Sequence, residues 1–198
     1  MTRNRRGFTL MEMLIAITVL VMLSGVTLFS TLDFVTTAEA DKIINNLIQL
    51  KTATLMWYKE NSSRVEYSGN EYKIKTDGVL LTFDNFVKDH KSEILKYISN
   101  AKSIELFDSQ GSIQLDNYVL VAVENDGRKW YVCCYLDQYS KTGRGEEAPD
   151  TRVREKIAGR AKKFGLSGIA SAKNHDIPKG DYSGQRYVCM KILELSKR

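Results

Sequence analysis

One carboxylate, that of Glu12, lies inside a long apolar stretch and is the group with the clearest potential for chemistry. No other charged residue occurs between Phe8 and Phe29. A carboxylate in apolar surroundings is costly unless it has a partner, so an acid in such a place indicates a function. The sequence therefore predicts a functional role for Glu12, and a nearby cation is the partner that would stabilise it.

The apolar stretch, residues 8–29, has the length of a membrane-spanning helix. A helix needs about 20 apolar residues to cross the hydrocarbon core of a bilayer. The arginines directly before the stretch, Arg3, Arg5 and Arg6, are expected to stay on the cytoplasmic side. The sequence thus predicts a single-pass protein of the cytoplasmic membrane, with residues 30–198 outside the cytoplasm.

Three more general interpretations compete with this one. A secretory signal peptide has an apolar core of about 7–15 residues that ends at a small-residue cleavage site, and this stretch is longer and lacks that ending. A plain signal anchor fits the length and the charge but leaves Glu12 unexplained. The core helix of a soluble protein would not be preceded directly by three arginines.

The residues before and around Glu12 form the run Arg5-Arg6-Gly7-Phe8-Thr9-Leu10-Met11-Glu12. This run resembles the type III signal of type IV prepilins, in which a basic leader ends in glycine, phenylalanine follows, and glutamate is the fifth residue after the cut. The resemblance covers about the first third of the chain. It implies that a prepilin peptidase cleaves after Gly7, that the new amino group of Phe8 is N-methylated, and that Glu12 contacts the Phe8 amine of an adjacent subunit during assembly.

The same resemblance implies a structural function, not an enzymatic one. The chain would be a pilin or a type II secretion pseudopilin that polymerises through its apolar helix. The implied partners are the prepilin peptidase, other pilin or pseudopilin subunits, an inner-membrane assembly platform and the lipid bilayer. The subunit would pass from the cytoplasmic membrane into a pilus or a periplasmic pseudopilus. The alternatives are a membrane-anchored binding module and a competence pseudopilin that contacts DNA.

Composition argues against nucleic acid as a general partner. The 198 residues include 29 basic and 24 acidic side chains, and the arginines of the leader supply much of the excess. The mature chain is therefore close to balanced in charge, unlike a typical nucleic-acid-binding domain. No phosphate-binding loop, nucleophile elbow or zinc-protease motif occurs in the sequence. We expect neither a cofactor nor a metal.

The apolar stretch continues into an amphipathic segment in which apolar residues recur at helical spacing. The predicted stripe comprises Ala40, Ile43, Ile44, Leu47, Ile48, Leu55 and Tyr58. One helix of about 80 Å, from Phe8 to about Glu60, would result, and its second half would pack on the rest of the chain. We predict four segments: a leader (1–7), a membrane helix (8–29), its amphipathic continuation (30–60) and a β-rich head (61–198).

Two dipeptides in the head, Asp77-Gly78 and Asp126-Gly127, predict tight hairpin turns. A two-residue turn at the second of them would pair Val123 with Trp130. One apolar face would then combine Val119, Val121, Val123, Trp130, Val132 and Cys134. We expect the amphipathic half of the first helix to cover this face. The predicted fold class is therefore α+β, with one long helix packed on an antiparallel sheet.

Shorter patterns predict the other elements of the head. They are strands at Tyr72–Thr76 and Val79–Phe83, a helix capped by Asp84 and ending near Ser99, a hairpin of Ile104–Phe107 and Ile113–Leu115, a polar linker at Ser140–Pro149, a helix at Thr151–Phe164, a loop at Gly165–Gly184 and a strand at Arg186–Leu195.

The helix predicted at Thr151–Phe164 is rich in basic residues. They are Arg152, Arg154, Lys156, Arg160, Lys162 and Lys163. We interpret them as the solvated face of an amphipathic helix. The alternative is a contact patch for acidic lipid headgroups, a neighbouring subunit or DNA.

The three cysteines, Cys133, Cys134 and Cys189, predict one disulfide in an exported head. Neighbouring strand residues point to opposite faces, so Cys133 and Cys134 cannot both meet Cys189. We favour Cys133–Cys189, because both residues alternate with tyrosines on what is predicted to be the less buried face. Cys134–Cys189 and three reduced thiols are the alternatives.

A catalytic site in the head has little support. Cys134, His175 and Asp176 are residue types that occur in thiol–base sets. However, Cys134 belongs to a predicted core strand, and nothing in the sequence ties it to His175. The other histidine, His90, is expected to be a solvated residue on a helix surface. We therefore expect no enzymatic activity.

Cleavage between Gly7 and Phe8 is the first testable prediction. The motive is the basic leader that ends in glycine directly before an uninterrupted apolar stretch. Mass spectrometry of the mature protein should find an N-terminus at Phe8 that carries one methyl group. A mature protein that starts at Met1, or that is cut beyond Phe29, would contradict the prepilin interpretation.

Overall fold

The computed structural model describes residues 9–98, 118–124, 126–136, 148–169, 180 and 185–196, without the side chains of residues 26–30, 32 and 148–150. The hairpin predicted at Ile104–Phe107 and Ile113–Leu115 lies outside the described residues, as does most of the linker predicted at Ser140–Pro149. The described part is α+β, as predicted, with a long N-terminal helix and antiparallel sheets.

The described residues form three α-helices and two sheets. The helices are α1 (Leu10–Asn61), α2 (Phe83–Leu95) and α3 (Ala148–Phe164), and a 3-10 turn (Ser62–Arg64) follows α1. The first sheet has the order β1 (Val65–Ser68), β2 (Glu71–Thr76), β3 (Val79–Thr82). The second sheet contains β4 (Tyr118–Val123), β5 (Lys129–Tyr135), β6 (Leu166–Ile169) and β7 (Tyr187–Glu194), in the order β4-β5-β7-β6.

Helix α1 is continuous, and its second half buries a stripe that recurs at steps of three and four residues. The buried apolar residues of this stripe are Ala40, Ile43, Ile44, Leu47, Leu50, Ala53 and Trp57. The predicted stripe agrees with it as far as Leu47. Leu55 and Tyr58 are only partly buried, because the head closes over the side of the helix that carries Trp57.

The core lies between this stripe and one face of the second sheet. The ring of Trp57 lies 4.8 Å from that of Phe86 in α2 and 6.4 Å from that of Trp130 in β5, measured between centroids. Phe83 stacks on Trp130 at 4.1 Å. Helix α3 adds Val153, Ile157 and Ala161 to the same core. Burial of these large apolar side chains is the main term that holds α1 to the head.

The Asp77-Gly78 hairpin forms as predicted. Thr76 pairs with Val79, so two residues make the turn, and both have positive φ angles of 49° and 81°. This is the type I′ conformation, whose twist matches that of the flanking strands. In the resulting register Ile74 lies directly opposite Leu81, on the inner face of the first sheet.

The register predicted for the second hairpin is wrong by one residue. Val123 pairs with Lys129 and Ala122 with Trp130, so the connection comprises residues 124–128 instead of Asp126-Gly127 alone. The amide of Gly127 donates to the carbonyl of Glu124 at 3.1 Å within this longer loop. The carboxylate of Glu124 also pairs with the side chains of Arg128 and Lys129, which stabilises the loop.

This shift moves every side chain of β4 to the opposite face, because side chains alternate along a strand. Val119, Val121 and Val123 lie on the face away from α1. The core face instead combines Tyr118, Leu120 and Ala122 with Trp130, Val132 and Cys134. The predicted apolar face was therefore correct for β5 and inverted for β4.

Two smaller predictions also need correction. The N-cap of α2 is Thr82, whose hydroxyl accepts from the amide of Asn85 at 3.3 Å, and not Asp84. The carboxylate of Asp84 accepts instead from the amide of Ala122, at 3.0 Å, and so ties α2 to the edge strand β4. The segment predicted as a loop after Gly165 begins with β6, which pairs with β7.

A polar contact joins the end of α1 to α2 and β2. The guanidinium of Arg64 donates to the carboxylate of Glu93 at 2.8 Å and to the hydroxyl of Thr76 at 2.8 Å. The indole of Trp57 donates to the same carboxylate at 3.2 Å. Burial alone would raise the pKa of Glu93, but the hydrogen bonds from Arg64 and Trp57 outweigh it and hold the pKa below its usual range.

This contact predicts a loss of stability in acid. Because the pKa of Glu93 is lower in the folded chain than in the unfolded one, its contribution is present above the unfolded value of about 4.3 and disappears as the pH falls through the folded value. The free energy of unfolding should therefore fall less between pH 6 and pH 3 in Glu93→Gln than in the wild type. Denaturant titrations at several pH values measure this, with Glu66→Gln on β1 as the control for removal of one charge. If the free energy of unfolding fell with pH by the same amount in the wild type and in Glu93→Gln, the lowered pKa of Glu93 would be contradicted.

Candidate functional site

The N-terminal candidate site consists of Gly7, Phe8 and Glu12, of which the structure describes Glu12. Gly7 and Phe8 lie outside the described residues. Thr9 is the N-cap of α1, and it forms a reciprocal capping box with Glu12. The carboxylate of Glu12 accepts from the amide of Thr9 at 2.9 Å and from its hydroxyl at 3.0 Å, while the amide of Glu12 donates to the Thr9 hydroxyl at 3.3 Å.

The capping box gives Glu12 a local role that the sequence analysis missed. Its signal in the sequence is a threonine, Thr9, followed three residues later by glutamate before an apolar run, which is the signature of this motif. The box fixes the start of α1 two residues after the expected cleavage point. It also holds the carboxylate beside the backbone of Thr9, so that the negative charge lies at the positive end of the helix dipole.

The first part of α1 is not covered by the described residues of the head. Every side chain from Leu10 to Ser24 is exposed, and Leu10 reaches 84% exposure. Among the described side chains of α1, Thr36 is the first that is buried. No helix in the described part of the chain holds a segment that is both long and apolar enough to span a membrane. The apolar surface of the first part of α1 is large for a monomer, and such surfaces mark contacts with other molecules.

The sequence predicted that the basic residues of α3 form a solvated face, but two of them form ion pairs with α1. The amine of Lys156 lies 2.8 Å from the carboxylate of Asp33, and Arg160 pairs with Asp41. Both acids belong to α1, so these two cations join the helices. Arg152, Lys162 and Lys163 have exposed side chains.

Cys133 and Cys189 form a disulfide in the structure, which is the pairing that the sequence analysis favoured. The two residues lie directly opposite each other on the adjacent strands β5 and β7, with their Cα atoms 4.0 Å apart. Their surroundings differ from the expectation of a less buried face. Both are fully buried in a second apolar cluster, together with Val121, Val123 and Ile169. The valines of β4 line this cluster because of the register shift described above.

The thiol–base set considered from the sequence has no basis in the described residues. His175 and Asp176 lie outside them. Cys134 is buried on the core face. Burial raises the pKa of its thiol to about 12, although a hydrogen bond with Tyr118 acts to lower that pKa. A thiol with so high a pKa is a poor nucleophile at neutral pH.

His90 is not simply a solvated residue. Its ring stacks on Phe86 with centroids 5.5 Å apart, and its Nδ1 atom lies 3.7 Å from the carboxylate of Glu93. It therefore lies at the edge of the Arg64–Glu93 contact. Among the described residues no group of histidines, cysteines and acids could hold a metal ion.

These observations define a class: an α+β chain in which the described part of the head covers only the second half of a long N-terminal helix, and in which the exposed first half begins with a capping box that contains Glu12. Residues 2–28 match the family model of the prokaryotic N-terminal methylation motif. The chain thus carries the signal of type IV pilins and pseudopilins, and the recognition of that signal in the sequence is confirmed. No curated protein and no solved structure matches the chain significantly.

The cysteine arrangement predicts a distinctive labelling pattern. Without reductant, iodoacetamide should modify no thiol in the folded chain, since Cys134 is buried and the other two cysteines are bonded. It should modify one thiol after unfolding and three after unfolding with reductant, as counted by mass spectrometry. Cys134→Ser is the matched control and should give none without reductant. Three modified thiols without reductant would contradict the disulfide.

The same bond should contribute to stability. Its two cysteines are 56 positions apart in the sequence, and for a loop of this length the chain-entropy model assigns the bond about 4 kcal/mol of the free energy of unfolding. The double variant Cys133→Ser/Cys189→Ser should lose about this amount in denaturant titrations.

Proposed function

We propose that this chain is a structural subunit, a pilin or pseudopilin, and not an enzyme. The observation that carries the proposal is the methylation motif at the start of a helix whose first half the head leaves exposed. In this proposal a prepilin peptidase removes residues 1–7 and Phe8 becomes the methylated N-terminus. The subunit then polymerises through α1 into a type IV pilus-like or type II secretion filament, with the help of an inner-membrane assembly platform.

Before assembly, residues 8–29 would span the cytoplasmic membrane and the head would lie outside the cytoplasm. The arginines of the leader support this orientation, because basic residues stay on the cytoplasmic side. The disulfide in the head also supports it, since disulfides persist in oxidising compartments outside the cytoplasm.

In the proposed assembly, Glu12 pairs with the Phe8 amine of a neighbouring subunit. Cleavage creates this amine four residues before Glu12, about one helical turn away. The carboxylate lies on the exposed part of α1, and its partners there belong to Thr9 of its own helix. A cation brought by a neighbour would stabilise a carboxylate that enters an apolar filament core far better than neutral donors do.

The competence pseudopilin that contacts DNA remains the less supported candidate. The feature of the sequence that suggested DNA contact is the basic run of α3. Two of those cations pair with Asp33 and Asp41 of α1, which leaves fewer of them for phosphate. A membrane-anchored binding module differs from both because it would not form filaments. Shearing of filaments from cells therefore separates it from the proposed function.

Replacement of the carboxylate tests the proposed assembly. Glu12→Val should insert normally and be cleaved after Gly7, because it makes the helix more apolar, but it should enter filaments poorly. Cells that express the variant are fractionated, and the membrane pool is compared with the sheared filaments by immunoblotting.

Two further variants separate the charge of Glu12 from its capping role. Glu12→Gln keeps the shape and removes the charge, so it should share the assembly defect. Thr9→Ala removes the capping hydroxyl and keeps the charge, so it should assemble. Wild-type filament yield from Glu12→Val would show that Glu12 is not the assembly carboxylate, and a defect in Thr9→Ala alone would assign the role to capping.

A further inference from the structure

We propose that the membrane-facing end of the head binds anionic phospholipid headgroups through Arg152 of α3. The inference rests on the proposed membrane span at residues 8–29. It assigns a partner to part of the basic run of α3.

The level of the head along α1 brings the start of α3 close to the proposed bilayer. A bilayer of about 40–45 Å has a hydrocarbon core of about 30 Å, which leaves about 5–8 Å of headgroups on each side. Asp33 lies four residues beyond the end of the proposed span at Phe29, which is about 6 Å along a helix. Asp33 is therefore at the outer limit of the headgroup layer, and Lys156, which pairs with it, is at the same level.

The direction of α3 gives the level of Arg152. Lys156 pairs with Asp33 and Arg160 with Asp41, so α3 runs along α1 in the same direction, away from the membrane. Arg152 precedes Lys156 by one helical turn and lies about 6 Å closer to the bilayer along α3. Its exposed side chain is thus at the level of the lipid phosphates.

Exposed apolar residues at the same level are an independent observation. Phe34 and Val35 of α1 are 75% and 50% exposed, although they lie beyond the proposed span. The first buried side chain follows directly, at Thr36. Helices that lie at a membrane surface bury phenylalanine and other apolar side chains at the boundary between headgroups and acyl chains. An interfacial position would cover a ring that the head leaves bare.

The charges of α3 favour an anionic partner, and the level of Arg152 along α1 favours lipid phosphate as that partner. Residues 148–164 contain six basic and two acidic side chains. Arg160 is held by Asp41, and Lys162 and Lys163 follow it, farther from the bilayer. A guanidinium binds phosphate oxygens with two parallel hydrogen bonds, which suits Arg152 to a phospholipid headgroup.

The test uses the full-length chain in nanodiscs of phosphatidylcholine, with or without phosphatidylglycerol. Hydrogen exchange of α3 amides should be slower, by about fivefold, with phosphatidylglycerol present. The slowing should disappear in Arg152→Glu and persist in Lys162→Glu, which makes the same change of charge on the same helix farther from the membrane. Inorganic phosphate added to phosphatidylcholine discs should not reproduce it.

A cross-linking experiment tests the position directly. The photoreactive variant Arg152→p-benzoylphenylalanine should form adducts with phospholipid, and Lys162→p-benzoylphenylalanine should not. The inference would be overturned if hydrogen exchange were equal in both kinds of disc, or if Arg152→Glu and Lys162→Glu lost the slowing equally. It would also be overturned if position 152 formed adducts with a second copy of the chain. Failure of the chain to insert into either disc would instead contradict the proposed membrane span.

Discussion

The contact between the second half of α1 and the core face of the second sheet is the interaction on which the rest of the structure depends. It buries a continuous apolar stripe from Ala40 to Trp57, and the two tryptophans of the chain, Trp57 and Trp130, meet there. A helix this long gains its stability from tertiary packing of one face more than from intrinsic propensity. The first half of α1 has no such partner among the described residues of the head, and under the proposed function it contacts lipid or other subunits.

This division of α1 explains how one helix can serve two purposes. The covered half holds the head in a defined orientation. The ion pairs of α3 with Asp33 and Asp41 add contacts between the head and α1 close to the end of the exposed half. The exposed half presents an apolar surface with one charge near its start. Under the proposed function, the orientation of the head relative to a membrane or a filament follows from the direction of α1 alone.

Both faces of the second sheet are covered. Its core face packs on α1, and its other face buries the disulfide among valines of β4 and Ile169 of β6. The disulfide joins the two central strands β5 and β7. Cys134, one residue away on the core face, is kept apart from this bond by the alternation of side chains, so it cannot exchange with it without unfolding of the strand.

The sequence by itself determined the features that depend on local residue pattern. The prepilin signal, the extent of α1, the Asp77-Gly78 turn and the end of α3 at Phe164 each follow from residues close together in the chain, because caps, turns and helical periodicity are local. Only the tertiary structure decided the register of β4 on β5, the N-cap of α2 and the partners of the basic residues of α3. The register depends on a five-residue loop that the ion pairs of Glu124 stabilise. Asp84 does not cap α2, because its carboxylate accepts a hydrogen bond from the amide of Ala122. Lys156 and Arg160 form ion pairs with Asp33 and Asp41, which are more than 100 positions away in the sequence. Such choices depend on which distant groups the fold brings together, and no local pattern encodes them.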